Sequence, residues 1–350
     1  MANNDLIDQI SSGKISRRTL LKAGAVAGIG LAGVSFAGCT DNGGNATVTP
    51  TGAPLQTKDL VRVGYLPSDH DAPFFIAETK GYFDKYGINV EGQKFSAGPD
   101  IMKQISAGNL DMAVVGAPPV ISYLDKDPAA RIIAPTHSEG SGLIVKKGLG
   151  ITSVAGLKGK KIAIPGPGSI QDVMLRKLLA DNGISYDKDV NVVTIPAGQM
   201  VDTMANGNID AAIIWEPFVT MAVLNDVGEI LLLSKDIMPG HPCCVVIASN
   251  EMIQKYPDSV RAYLKAHKDA VEFINANLNE SAAIVASSEW LNIDPAIEVE
   301  SLPHMTFMYK FDEDYIAGTE SFARELKNMG KVNNDLTRNE LFDLTFVNEL

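Results

Sequence analysis

Two stretches about a hundred residues apart carry nearly the same pattern, which commits the chain to building one supersecondary unit twice. Ala97-Gly98 opens the first, a helical run covers 99–107, and Gly108-Asn109-Leu110-Asp111 leads into the apolar run 112–115 and Pro118. Ala197-Gly198 opens the second, followed by a run over 199–206, Gly207-Asn208-Ile209-Asp210, the apolar run 211–214 and Pro217. Each copy predicts a helix stopped by a left-handed glycine, a tight turn and a short buried strand. A single repetition is too little for a solenoid. It predicts two similar α/β lobes, and two lobes enclose a cleft.

The 350 residues suffice for two proper cores. The formal charge is −12, and −14 without residues 1–38, which carry four Lys/Arg and two Asp/Glu. Such a surface repels phosphate backbones, so no nucleic acid is expected as a partner. Three cysteines are too few for a disulfide scaffold.

Ser16-Arg17-Arg18-Thr19-Leu20-Leu21-Lys22 resembles a twin-arginine export signal, with Leu20 where Phe is usual. The uncharged, Gly/Ala-rich stretch 23–38 is too short and too weakly apolar for a permanent span. Phe36-Ala37-Gly38-Cys39 resembles a lipobox, so 1–38 reads as a cleaved signal and Cys39 as a lipidated new N-terminus. Residues 39–59, rich in Gly, Asn, Thr and Pro, predict a disordered tether. The expected location is the outer face of the cytoplasmic membrane, lipid-anchored. Asn45-Ala46-Thr47 and Asn279-Glu280-Ser281 are glycosylation sequons, meaningful only in a host that glycosylates.

Beyond the tether, strands are expected at 61–66, 88–95, 111–115 and 131–135, alternating with helices at 72–86, 99–107 and 118–125, the order of a parallel α/β sheet. Asp71 is the expected N-cap of the helix at 72–86. The pattern restarts with strands at 161–164 and 190–195 and a helix at 169–182, followed by the second repeat and strands at 229–233 and 244–248. From about 252 onward the chain reads as helical, at 258–277, 312–327 and 339–347. Lobe one is therefore expected at 60–143 plus 241–350 and lobe two at 144–240, with two hinge crossings.

Several blocks then resemble a known family. They are Val63-Gly64-Tyr65-Leu66, Lys80-Gly81-Tyr82-Phe83, Gly87-Ile88-Asn89-Val90-Glu91, Leu157-Lys158-Gly159-Lys160-Lys161-Ile162-Ala163, and Gly207-Asn208-Ile209-Asp210-Ala211 followed by Trp215-Glu216-Pro217. Over about 60–270 the chain resembles the substrate-binding proteins of nitrate/sulfonate/bicarbonate (taurine-type) ABC importers, relatives of proteins that bind or make the thiamine pyrimidine precursor. The resemblance implies a two-lobed periplasmic-binding fold of type II, with a helical C-terminal region, closing on a small molecule. Its implied partners are an ABC permease and its ATPase; a monomer is expected.

Ligands of open α/β sheets lie beyond the carboxyl ends of the strands. The expected ligand-binding residues are accordingly His70, Asp71, Ser96, Gly98, Gly116, Ala117, Pro118, His137, Gly168, Ser169, Gln171, Trp215, Glu216 and His241. None of the loops Ser68–Asp71, 96–99, 116–119 and 167–171 contains Arg or Lys, so an anion would rest on helix N–H groups, with Gly168-Ser169-Ile170-Gln171 the leading candidate. The alternative for Ser169 is a plain helix cap. Trp215 offers a flat apolar wall and Glu216 an acceptor. His70, His137 and His241, with Cys243 and Cys244, include metal-ligating types. Their spacing fits no structural zinc motif, and separate polar lining residues are the favoured reading, so no metal is assigned. The two cysteines would form a vicinal disulfide or stay as buried thiols.

The expected function is capture of a small anionic or zwitterionic solute (sulfonate-, nitrate- or pyrimidine-precursor-like) for an importer, without catalysis. Alternatives are a pyrimidine-synthase-like enzyme and a binder of metals or metal chelates. No CCCFC-like stretch, P-loop, G-x-S-x-G elbow or HExxH supports an enzyme. Asp69, Asp71, Glu139 and Glu216 favour a solute carrying a donor group over bare nitrate.

Overall fold

The computed structural model describes residues 55–350. The expected signal, the lipidated Cys39, most of the tether and the Asn45 sequon lie outside the described residues. The described chain forms two mixed sheets flanked by helices, an α/β fold of two lobes.

The first sheet takes β1 (Val61–Tyr65), β2 (Val90–Lys94), β3 (Met112–Gly116) and β4 (Ala130–Glu139). At Gly140 the chain passes to the second sheet, made of β5 (Ser141–Lys146), β6 (Lys161–Ile164), β7 (Asn191–Thr194), β8 (Ala211–Trp215) and β9 (Gly228–Leu233). It returns over 238–241 to β10 (Pro242–Ser249) and, after a largely helical stretch, β11 (Met305–Phe307). The orders are β11-β4-β10-β3-β1-β2 and β7-β6-β8-β5-β9. Each sheet has a parallel half, β2-β1-β3 in one and β7-β6-β8 in the other, but β10, β4, β11 and the β5 pairings run antiparallel. The purely parallel expectation is therefore corrected. Strands that enter directly from a crossing, with no helix between, need not run parallel to their neighbours.

The repeat is physical as well as textual. Gly108 (φ 72°) and Gly207 (φ 73°) end the helices Gly98–Ser106 and Ala197–Ala205 in the left-handed conformation. Leu110 and Ile209 then plug the two cores, each 1% exposed. Asp111 Oδ2 accepts from Arg62 N at 2.8 Å, and Asp210 Oδ2 from Lys161 N at the same distance. In each copy an aspartate thus fastens the repeat strand to the start of its parallel neighbour.

Other expectations need correction. The run 72–86 is two helices, Ala72–Thr79 and Tyr82–Lys85, because Gly81 takes φ 70° between them. Asp71 does not cap: its Oδ2 accepts from Leu66 N at 3.0 Å, turning inward to close the loop after β1. The terminal stretch holds two short pieces, the helix Arg338–Leu341 and a 3-10 turn at Val347–Glu349, and between them Phe342 bridges to Ile132 of β4.

Candidate functional site

A tight turn after β1, the 3-10 segment Asp69–Asp71, puts three polar side chains in a row that are all buried. His70 points toward the crossing, where its Nε2 lies 2.9 Å from the Gly140 carbonyl. A carbonyl only accepts, so Nε2 carries the hydrogen and Nδ1 faces the other way. There it meets Cys243 Sγ at 3.4 Å and Cys244 Sγ at 3.8 Å, both from the start of β10. The ring of His137, on β4, packs edge-on against His70 with centroids 4.4 Å apart. His137 Nδ1 lies 3.3 Å from the Ser138 carbonyl, and its Nε2 is buried with no hydrogen-bond partner. One donor atom from each of His70, His137, Cys243 and Cys244 lies within 4.8 Å of all the others.

The charges in this group depend on one another. Burial is the largest influence on His70 and opposes its charge, yet the Cys243 sulfur, Asp69 and the Gly140 carbonyl together take the imidazole up to about 9. Burial alone would raise the Cys243 thiol, but a hydrogen bond from Cys244 and the two rings pull it well below its usual range. Cys244, the donor in that pair and equally buried, is pushed up. Burial holds His137 neutral and lowers it. The two sulfurs lie 4.0 Å apart, well beyond a disulfide bond, so of the two states open to them this structure holds the reduced one.

Acidic groups stand beside this cluster. Asp69 accepts from Ser301 Oγ; burial lifts it to about 7, with His70 opposing and Glu216 adding to the rise. Glu216, just beyond β8 of the second sheet, accepts from Thr220 N at 3.0 Å and pairs with His304. Its own N–H donates to Gly140 O at 3.0 Å and its carbonyl accepts from Ser68 Oγ at 3.2 Å. Glu298, on the helix Pro295–Ser301, is lifted to about 10 by burial and then by the charges of Asp69 and Glu216; neither of its oxygens has a hydrogen-bond partner. Asp71 Oδ1 is also without one. Among the described residues no Lys or Arg forms an ion pair with Asp69, Asp71, Glu216 or Glu298. Carboxylates from both lobes thus converge on the crossing with acceptors to spare.

The structure brings His70, Asp71, His137 and Glu216 together from the expected set. Gln171 joins them through the crossing strand, donating to Ser141 Oγ at 3.0 Å. Gly116 faces the second lobe, and a Cβ there would lie 3.8 Å from Ile170 Cδ1; Ala117 and Pro118 continue buried behind it. Gly98 serves packing, since a Cβ would come within 3.1 Å of Val115 and Pro119, and Ser96 is exposed. Trp215 is half-buried against Phe218, ring centroids 6.5 Å apart. His241 stays apart from the thiols, its Nδ1 at 3.0 Å from the Pro242 carbonyl and its ring against Phe322.

At Gly168 and Ser169 the structure shows the helix cap that was the alternative to an anion seat. Gly168 N–H donates to Asp172 Oδ2 at 2.8 Å, and Ser169 Oγ accepts from Asp172 N at 3.2 Å. The helix Ile170–Asp181 therefore carries its own anion at its start, and the Gly168 and Ser169 N–H groups are already engaged, the latter on the Gly166 carbonyl. Sequence reasoning missed Glu298, Ser301 and His304 altogether. They come from a helical stretch with no motif, and only the fold carries them to the crossing.

The NMT1-like family model matches residues 56–288. A provisionally named binding protein of Brucella abortus is 31% identical over 245 residues, 69% of this chain and 75% of that protein. The nitrate/nitrite binding protein NrtA of Nostoc sp. is 26% identical over 322 residues, 81% of this chain and 72% of that one. Among solved structures, the periplasmic aliphatic sulphonate binding protein SsuA from Escherichia coli superposes with a TM-score of 0.73 at 18% identity, over 83% of this chain and 94% of that one. At such identity the likeness is one of fold.

Proposed function

Since this chain belongs to the NMT1-like family, we propose that it is the exported solute-binding protein of an ABC importer and captures a small zwitterionic or donor-bearing anionic solute by lobe closure. The observation that carries the choice of solute is the set of unpaired buried carboxylate oxygens on Asp71 and Glu298, beside Asp69 and Glu216, with no Lys or Arg paired to them. Buried acceptors without partners are expensive, and a ligand that brings N–H or O–H groups relieves them, whereas bare nitrate brings only acceptors. A pyrimidine with an exocyclic amine, or an aminosulfonate, meets that need. Closure requires no chemistry: the solute binds the closed state more tightly, and the permease reads that state. Names of relatives as binding proteins support a transport role over an enzymatic one.

In this reading residues 1–38 are the export signal, Cys39 carries the lipid, 39–59 is the tether, and the monomer delivers its cargo to a permease and ATPase. Lobe one is 60–140 plus 241–350 and lobe two 141–240, the first bound moved back from the expected 143 because β5 begins at Ser141. Calorimetric titration of the full chain with nitrate, bicarbonate, alkanesulfonates, aminosulfonates and aminopyrimidines tests it. One-to-one binding of an amine-bearing solute, recovered unchanged and weakened at least about tenfold in Glu216→Gln, is the expected result. Preference for bare nitrate would overturn the solute class, and turnover of the bound compound would overturn the transport role.

A further inference from the structure

The His70, His137, Cys243 and Cys244 cluster has a geometry that solute capture does not require. A tetrahedral site with bonds of about 2.3 Å to sulfur and about 2.0–2.1 Å to nitrogen has edges of about 3.8 Å between sulfurs and about 3.5 Å from sulfur to nitrogen. The observed edges are 4.0 Å between the sulfurs and 3.4 and 3.8 Å from them to His70 Nδ1. The remaining donor, from His137, completes the group within 4.8 Å. Each imidazole is also anchored from behind. His70 Nε2 is tied to the Gly140 carbonyl and His137 Nδ1 to the Ser138 carbonyl, which leaves the second nitrogen of each ring clear of a carbonyl, Nδ1 of His70 against the two sulfurs and Nε2 of His137. That is how metal-ligating histidines are oriented. His137 Nε2 supplies an independent sign, a fully buried nitrogen with no hydrogen-bond partner.

From this geometry we propose that His70, His137, Cys243 and Cys244 form a closed four-coordinate site for a thiophilic transition-metal ion of the Zn2+ class. Two thiolates and two neutral imidazoles around a divalent ion sum to zero charge, so the filled site tolerates full burial. Asp69 and Asp71 beside it favour a cation. Filling the site displaces to solvent the two protons that the empty cluster holds on its sulfurs and on the His70 ring, and it protects two adjacent cysteines from oxidation outside the cytoplasm. The ligands come from the β1 turn, β4 and β10, so the ion would staple the strands that lead into and out of the crossing.

The full chain, reduced and loaded with Zn2+ or Co2+ and then desalted, is expected to retain about one equivalent per chain by mass spectrometry. Co2+ should show a sulfur-to-metal charge-transfer band and the intense visible bands of a tetrahedral site. Cys243→Ala and Cys244→Ala should each weaken retention at least about tenfold, and Cys39→Ala and His267→Gln should not. Should an alanine variant fail to fold by circular dichroism, the Co2+ spectrum of the unaltered chain decides. Folded chain that retains no metal, Co2+ without a sulfur band, or a Cys243–Cys244 disulfide in the metal-treated protein would each overturn the site. These readouts involve no solute, so failure here leaves the transport reading standing.

Discussion

Gly140 is the residue on which the crossing turns, and its replacement by alanine separates two physical effects. It sits at φ +85°, and a Cβ there would lie 2.5 Å from Met305 Cγ and 3.1 Å from His70 Nε2. The left-handed backbone alone destabilises an alanine by about 1–2 kcal/mol. Driving Met305 off its rotamer adds about 1 kcal/mol, and loosening the His70 hydrogen bond about 1 kcal/mol more. Gly140→Ala should therefore lose about 3–4 kcal/mol in equilibrium urea unfolding, given those magnitudes. Gly81 provides the control. Its φ is +70°, and a Cβ there would have nothing within 4 Å. Gly81→Ala should lose only the backbone part, about 1–2 kcal/mol. Equal losses in the two variants would refute the claim that the crossing is crowded around His70 and Met305.

His267, buried on the helix Pro257–Ala276, donates from Nε2 to the Pro135 carbonyl at 2.9 Å, and burial lowers it to about 4. Unfolding restores an ordinary value near 6.5, so its neutral form contributes stability that is whole above that pH and drains away as pH falls from 6.5 to 4, by about 3 kcal/mol in all. Urea unfolding of His267→Gln against the parent should show a shallower fall between those pH values; parallel curves would refute this. Glu298 behaves oppositely. With its carboxyl lifted from 4.5 to about 10, its contribution is complete below 4.5 and is lost as pH rises toward 10. Glu298→Gln, neutral throughout, should match the parent at pH 4 and exceed it in stability at pH 8; lower stability at pH 8 would show that the carboxylate is ionised and paired.

The framework was legible wherever a residue speaks through its own backbone. Gly108 and Gly207 end helices because only glycine takes their φ cheaply, and the Asn-Leu/Ile-Asp that follows each copy is short-range chemistry. Gly81 carries the same signal, but it was masked by an apolar run that reads as one continuous helix. The site was legible in part. His70, Asp71, His137 and Glu216 follow strands, so a rule about strand ends finds them. That rule also picked Gly168 and Ser169, and nothing in the local sequence says that Asp172 would fold back onto their donors. In the sequence the histidine beside Cys243 is His241. The fold instead sets the Cys243 sulfur against His70, 173 residues away, and brings His137 to the same group because β4 and β10 pair antiparallel with Cys244 opposite His137.

One peptide group explains why the acidic residues and the histidine–cysteine cluster should be considered together. The Gly140 carbonyl accepts at once from His70 Nε2, at 2.9 Å, and from the Glu216 N–H, at 3.0 Å. The first donor belongs to the thiol cluster of the first lobe and the second to the carboxylate that begins the helical turn beyond β8 in the second. A solute that draws Glu216 into the cleft therefore pulls on the same oxygen that orients His70. An ion that fixes His70 in turn fixes the oxygen from which Glu216 hangs. Linkage makes any such effect reciprocal, so whatever the cluster gains from a seated solute the solute must gain from an ordered cluster. Such a coupling would need no longer pathway than two hydrogen bonds on one oxygen, at the residue where the chain first changes sheet.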